Sequence, residues 1–349
     1  MPMMLLKRWR SYFILIMLLV SGCGDAMDKF DWLATESAPK RYTMKIIRAF
    51  LYAPDGSSEY VPYGASISHG WGEMRSAHVS GPDKKSLPNK LDITFFSYAE
   101  DTFYQGSFDL PYDEIRKLFR EGYLIPSKKE RMSYDMIMVG VAPGGVVSVW
   151  LSGIGRISEV FFGHAKKVDL AWSNVVDDPD ITREEFITEV LEDTVGNEGI
   201  RFLRENGVPL GLWDSYRKTY PWKMQVHSER THRPLMYIDF FNGEQYYIEL
   251  ESTLESDDFN RLPVPKTIYI EWAAKSGQTR EFELHFNEKE IFAAFNALVG
   301  ENDQYVDQPL TLDVYFQEEG SQRTISAGLR RSKESIIFKE VKIEAFRIL

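Results

Sequence analysis

The strongest constraint on this chain is a repeat of its own pattern. Segments of matching character recur in unchanged order about 177 residues apart. Tyr42-Thr43-Met44-Lys45-Ile46 matches Tyr220-Pro221-Trp222-Lys223-Met224. Leu91, Ile93 and Phe95 alternate with polar residues after Pro88, as Ile268, Ile270 and Trp272 do after Pro265. Phe108-Asp109-Leu110 leads into Pro111–Phe119, and Leu284-His285-Phe286 leads into Asn287–Phe295. Val149-Trp150-Leu151 and Val160-Phe161-Phe162 are matched by Ala327-Gly328-Leu329 and Ile336-Ile337-Phe338. A chain of 349 residues has room for two such copies, each able to bury a core.

Within each copy, alternation of apolar and polar residues predicts strands around one short helix. Pro111 opens the first helix, where its missing N–H would have no partner anyway. Asn287 followed by Glu290 has the spacing of a capping box and starts the second. Pro143-Gly144-Gly145 predicts a hairpin turn, because glycine takes positive φ without strain. Between the copies, Thr182-Arg183-Glu184-Glu185 predicts a longer helix with Phe186, Val190 and Leu191 as its apolar stripe, broken near Gly196 and Gly199. The expected class is α+β: two tandem antiparallel β-rich domains, each with one or two helices, joined by a helical connector. The expected bounds are 41–178, 179–213 and 214–349, the last domain repeating the first.

The N-terminus reads as an export signal. Lys7, Arg8 and Arg10 precede an apolar run from Ser11 to Val20, which is too short to span a bilayer. Val20-Ser21-Gly22-Cys23 resembles a bacterial lipobox, which implies cleavage after residue 22 and lipid on Cys23. The other reading is a leftover cysteine behind an ordinary signal peptide. Several acyl chains on one cysteine would hold a protein on a membrane, where a single chain binds only marginally. Gly24 rather than aspartate follows the cysteine, which favours the outer membrane over the inner, with the body in the periplasm. Residues 23–40 read as a lipidated tether reaching at most ~55 Å. Cys23 is the only cysteine, so no disulfide is available to the fold. Loss of residues 1–22 removes three positive charges and takes the net charge from −11 to −14. That balance argues against nucleic acid, which rewards lysine and arginine on phosphates, and suits a basic protein partner.

Three further segments carry a family resemblance: Phe96-Ser97-Tyr98-Ala99-Glu100-Asp101-Thr102-Phe103-Tyr104-Gln105-Gly106 running into Leu110-Pro111; Val139-Gly140-Val141-Ala142-Pro143-Gly144-Gly145 with Trp150-Leu151-Ser152-Gly153; and Gly207-Val208-Pro209-Leu210-Gly211-Leu212-Trp213-Asp214-Ser215-Tyr216-Arg217, closing with Tyr220-Pro221-Trp222. Together they resemble the bacterial lipoproteins grouped as domain of unknown function 2931, over nearly the whole mature chain. Members sit beside genes of type VI secretion, including phospholipase effectors. The resemblance therefore implies an immunity protein that binds and neutralises a phospholipase-type effector in the periplasm. The alternative is a structural or adaptor lipoprotein of the cell envelope.

Catalytic and cofactor patterns are not found in the sequence. There is no Gly-x-Ser-x-Gly elbow for a serine hydrolase and no thiol outside the lipobox. His227 and His232 are five apart rather than the four of a helical zinc motif, and read as a solvated loop; His69, His78, His164 and His285 are scattered. Asp177-Asp178-Pro179-Asp180 lacks a calcium loop's alternation, and Gly153-Ile154-Gly155-Arg156 reads as a turn. No enzyme activity, cofactor or metal is expected. The candidate contact site is the loop Tyr63–Arg75, with Tyr63, His69, Trp71 and Arg75, since aromatic residues and arginine anchor interfaces. The competing reading folds Trp71 back to close a sheet edge. Phe95, Phe96, Trp150 and Trp272 read as core.

Overall fold

The computed structural model describes residues 29–125, 130–176, 178, 180–227, 235–249, 261–273, 279–319 and 322–348. These are mostly strand, arranged in several sheets with few helices, as an α+β class requires. Cys23 and His232, and the side chain of Trp272, lie outside the described residues.

Two main sheets belong to the first run of strands, beside the two-stranded ribbons Lys29–Asp31 with Lys84–Ser86 and Tyr123–Ile125 with Glu130–Met132. One has the order Lys166–Val168, Thr102–Asp109, Lys90–Ser97, Met44–Tyr52, Ser58–Tyr60. The other has the order Leu33–Ser37, Met136–Ala142, Val146–Gly153, Arg156–His164, with 33–37 parallel to 136–142. The second run gives Lys342–Ile348, Thr279–His285, Pro265–Ala273, Leu235–Phe240, Gln245–Glu249, and then Tyr220–His227, Leu310–Glu319, Gln322–Arg331, Glu334–Ile337, with 220–227 parallel to 310–319. Apart from the short Arg261–Leu262, which adds on beyond 220–227, the strand orders of the second run follow those of the first, and each run has one helix, Tyr112–Glu121 or Glu288–Val299, between its two sets of strands. Strand 156–164 pairs with 245–249 at Arg156↔Tyr246 and Ile157↔Gln245, which merges one sheet of each run into a single sheet of nine strands.

This topology corrects two expectations. Strand 220–227 holds the place of 33–37, not that of the segment beginning Tyr42, because each runs parallel to the first strand of the hairpin that follows the helix, 310–319 in one case and 136–142 in the other. A buried tryptophan marks each, Trp32 just before one and Trp222 within the other. Residues 29–40, expected as part of a tether, belong to the folded body. Lys29–Asp31 pairs with Lys84–Ser86, and Trp32 and residues 34–38 are buried. The loop 70–76 bonds the buried polar side chains of 33–37, with Glu36 Oε2 alone among them left without a partner among the described residues. Ser37 Oγ donates to the Gly70 carbonyl at 2.9 Å and accepts from the Gly72 N–H at 3.1 Å. Ser76 Oγ donates to Glu36 at 2.6 Å, and Thr35 donates to the Ser76 carbonyl.

Local signals behave as their chemistry dictates. Thr182 and Glu185 form a reciprocal capping box at the start of Arg183–Asn206, and Gly196 kinks that helix at φ 64°. Asn287 accepts from the Glu290 N–H at 3.1 Å, but the Glu290 carboxylate turns instead to the N–H groups of Lys339 and Glu340. Phe186, Ile187, Val190 and Leu191 of the long helix pack on buried Phe96, Tyr98 and Phe103. The short helix Leu212–Ser215 inserts Trp213 between the two runs. There Tyr42, Ala142 and Val146 of the first meet Phe241 and Phe292 of the second. Phe95, Phe96 and Trp150 are fully buried, as core residues should be.

Candidate functional site

The expected contact loop is pinned rather than free. Trp71 turns inward, edge-on to Trp150 at 4.8 Å and 6.3 Å from Trp213. It braces Trp150 and Trp213, and its partly exposed remainder lines the cleft described below. His69 Nε2 lies 2.7 Å from the Glu73 carbonyl, and Arg75 donates to the Ser66 carbonyl. Tyr63 is exposed and stands edge-on to Tyr60 at 6.0 Å. The four residues therefore do not converge on one surface.

What the loop does build is one wall of a cleft at the junction of the two runs. Its tip meets the hairpin turn between 235–240 and 245–249. A Cβ placed on Gly72 (φ +78°) would stand 2.4 Å from the Gly243 Cα, and one on Gly243 (φ +88°) 2.9 Å from Trp150. Glycine at both positions is what lets the two backbones touch. Beside this contact opens a cleft of ≈ 610 Å³. Trp71, Met74, Met136, Ile154, Ile157 and Phe240 give it apolar surface, and Met74 and Ile154 are solvent-exposed at 48% and 55%. Its charged groups are Glu73, Asp135, Asp239, Glu244 and Lys266. Lys266 of the second run reaches Glu73 of the first at 3.1 Å; both are half exposed, so the pair contributes at most ~1 kcal/mol.

The carboxylates sit in surroundings that resist their charge. Burial raises the pKa of Asp239; the neighbouring Glu73 adds to that, against a hydrogen bond from Gln245 and the charge of Lys266. Burial raises Asp135 too, and Asp31 reinforces it. An entering cation would offset both effects. Among the described lining residues there is neither histidine nor cysteine, and among the described residues no three His, Cys, Asp or Glu side chains converge as a metal site.

Behind the cleft a buried carboxylate joins three parts of the chain. Glu159 on 156–164 accepts from Ser148 Oγ at 2.6 Å and from Arg217 Nε at 2.7 Å, and its own N–H donates to Glu244 at 3.1 Å. Burial raises its pKa, opposed by the hydrogen bonds from Ser148 and Arg217 and by the arginine's charge. The folded state then holds this proton more tightly than the unfolded state. Stability is lost as pH rises from the ordinary glutamate range through the raised folded value. Relative to Glu159→Gln, the wild type is therefore expected to lose unfolding free energy between about pH 4 and pH 7. Urea titrations at the two pH values measure this; a relative gain would refute it.

One further cluster departs from the sequence reading. His227 is not in a solvated loop. It ends strand 220–227, stacks on Tyr315 at 4.4 Å and places Nε2 2.8 Å from buried Asp313. Arg330 Nε lies 2.8 Å from the same carboxylate. Sequence reasoning missed this trio and the cleft carboxylates because their members are far apart along the chain. Asn242-Gly243, a standard turn pair between two alternating runs, was the one local signal that marked the junction hairpin.

No helix among the described residues is long and apolar enough to cross a membrane. No curated protein and no solved structure matches the chain. A family model matches residues 22–211, taking in the first run of strands and the long helix. The end of the third motif, from Leu212 to Trp222, and the whole second run lie beyond the match, so it is narrower than the motifs suggest. With more than half of its 349 residues matched, the chain belongs to the family described as Protein of unknown function (DUF2931).

Proposed function

We propose that this chain is a periplasm-facing lipoprotein that binds a secreted phospholipase-type effector and neutralises it by occupying its surface, without catalysis of its own. The observation that carries this reading is the junction cleft. It is open, and apolar side chains line it together with the carboxylates of Glu73, Asp135, Asp239 and Glu244. Such a surface suits recognition of a protein with basic and apolar side chains. The family resemblance, with its type VI secretion neighbours, supplies the effector class. The matching strand orders support reading the chain as two tandem copies of one unit, the first beginning at Lys29 and joined to the second by residues 179–213.

On this reading Cys23 carries the lipid, and the outer membrane is the destination. Five residues separate Cys23 from the first strand, so that strand starts at most ~20 Å from the anchor. The test is protection. A candidate phospholipase-type effector is expressed in the periplasm with the wild-type chain, or with a Cys23→Ala form exported by a soluble signal. Growth rescue by both forms is the expected result and assigns the block to binding rather than anchorage. Absence of rescue by wild type, with both proteins present, would overturn the reading in favour of an envelope adaptor.

A further inference from the structure

We propose that the outer face of the second run's sheet is a docking strip for a lysine- and arginine-bearing segment of the protein partner; this rests on the partner-binding reading above and names the chemistry of what is bound. In strands 235–240, 265–273 and 279–285, alternate residues fill the core: Met236, Ile238, Ile268, Ile270, Phe282 and Leu284. The residues between them face outward. Tyr237 stands directly opposite Tyr269, and Tyr269 directly opposite Glu283, so three strands present one row. The rings of Tyr237 and Tyr269 lie 6.0 Å apart, and Glu271 and Asp239 flank them along a shallow groove of ≈ 420 Å³. Asp239 and Gln245 line both this groove and the junction cleft, so the two surfaces are continuous.

The matching face of the first run shows how such rings take cations. There Phe50 and Tyr52 point outward from 44–52, and the chain supplies its own cations to them. Arg48 lies over Phe50 at 5.1 Å and Lys90 over Tyr52 at 5.6 Å. Among the described residues no cation lies over Tyr237 or Tyr269. Among the described residues, Lys266 is already engaged by Glu73, and the ring of His285 lies against Glu283 at 3.3 Å and Glu344 at 3.6 Å. The Tyr269 hydroxyl is hydrogen-bonded to Glu281, and burial together with that carboxylate raises its pKa, so its ring stays a neutral, electron-rich face. An aromatic face beside carboxylates binds guanidinium and ammonium groups by quadrupole and charge together. A cationic segment from outside would sit on the second run's rings and carboxylates as Arg48 and Lys90 sit on the rings of the first.

The experiment uses the soluble Cys23→Ala chain, a hexa-arginine peptide as the probe and a hexaglutamate peptide as its control. Calorimetric titration is run on the parent, on E271Q/E283Q, and on E189Q/E192Q, which removes the same charge from the exposed side of the long helix. The strip variant should weaken hexa-arginine binding at least tenfold, and the helix variant no more than about twofold. Hydrogen exchange should show peptide-dependent protection in 235–247 and 265–271. Equal weakening by both variants would reduce the effect to diffuse attraction by an acidic protein and overturn the proposal. Sedimentation showing a dimer that E271Q/E283Q dissociates, with peptide binding unchanged, would overturn it in favour of a second copy on this face. The protection assay separates this proposal from the one above. Full rescue by E271Q/E283Q would remove the strip from partner binding, whereas failed rescue by wild type with intact strip-dependent peptide binding would remove only the effector.

Discussion

Replacing Trp150 with alanine is expected to cost about 3–5 kcal/mol of unfolding free energy, the range for emptying a tryptophan-sized site in a core. Trp150 is fully buried, although it faces away from the first run's main core. Its neighbours there are Trp71, edge-on at 4.8 Å, and the backbone of Gly243 from the second run. The edge-to-face contact adds about 0.5–1.5 kcal/mol beyond area burial. The truncation thus empties a space walled by both runs, and a domain of ordinary stability has only about 5–15 kcal/mol to lose. Urea unfolding followed by far-ultraviolet circular dichroism measures the loss. Trp150→Phe should recover most of it by keeping an aromatic plate under Trp71. A loss below about 1 kcal/mol for the alanine variant would show that Trp150 does not brace the junction.

Gly72→Ala is the second large effect, at about 2–5 kcal/mol from two sources. Its φ of +78° strains any side chain, and the new Cβ would meet the Gly243 Cα at 2.4 Å. Backbone cannot rotate aside as a long side chain does, so the loop tip and the hairpin turn must separate. The expected signature is paired: faster hydrogen exchange in both 70–76 and 240–244, with the helix 112–121 unchanged. Loss of protection in the loop alone would mean that the strain is relieved locally and that the two runs do not depend on this contact. Because Glu73 and Asp239 line the cleft on its two sides, the same variant should weaken hexa-arginine binding. It reaches that site by geometry, without altering a charge.

The elements legible in the sequence are those set by short-range chemistry. Thr182 and Glu185 are three residues apart and close their capping box wherever the helix ends up. Gly196 breaks that helix because its own φ is positive. Pro143-Gly144-Gly145 turns the hairpin, and alternation along 90–97 and 265–273 marks strands with one face in the core. Family membership was legible too, from motifs within the first run and its connector. Strand 33–37 was not, because Thr35, Glu36 and Ser37 are polar and their partners lie on a loop 33 to 41 residues later.

Tertiary structure alone decided the rest. Tyr63, His69, Trp71 and Arg75 form a plausible contact set as neighbours in sequence, but a loop's side chains point where its backbone is held. Ser37 and the Gly72–Gly243 contact hold this one with Trp71 inward. The cleft gathers Glu73, Asp135, Asp239 and Lys266 from both runs, and sequence spacing carries no signal for groups that meet across a sheet junction. The amino-acid sequence by itself determined the strands, caps and turns, because those depend on backbone dihedrals and hydrogen bonds within a few residues. Which faces were covered, and which were left open for a partner, depended on how strand 156–164 met 245–249, a pairing between residues almost ninety apart.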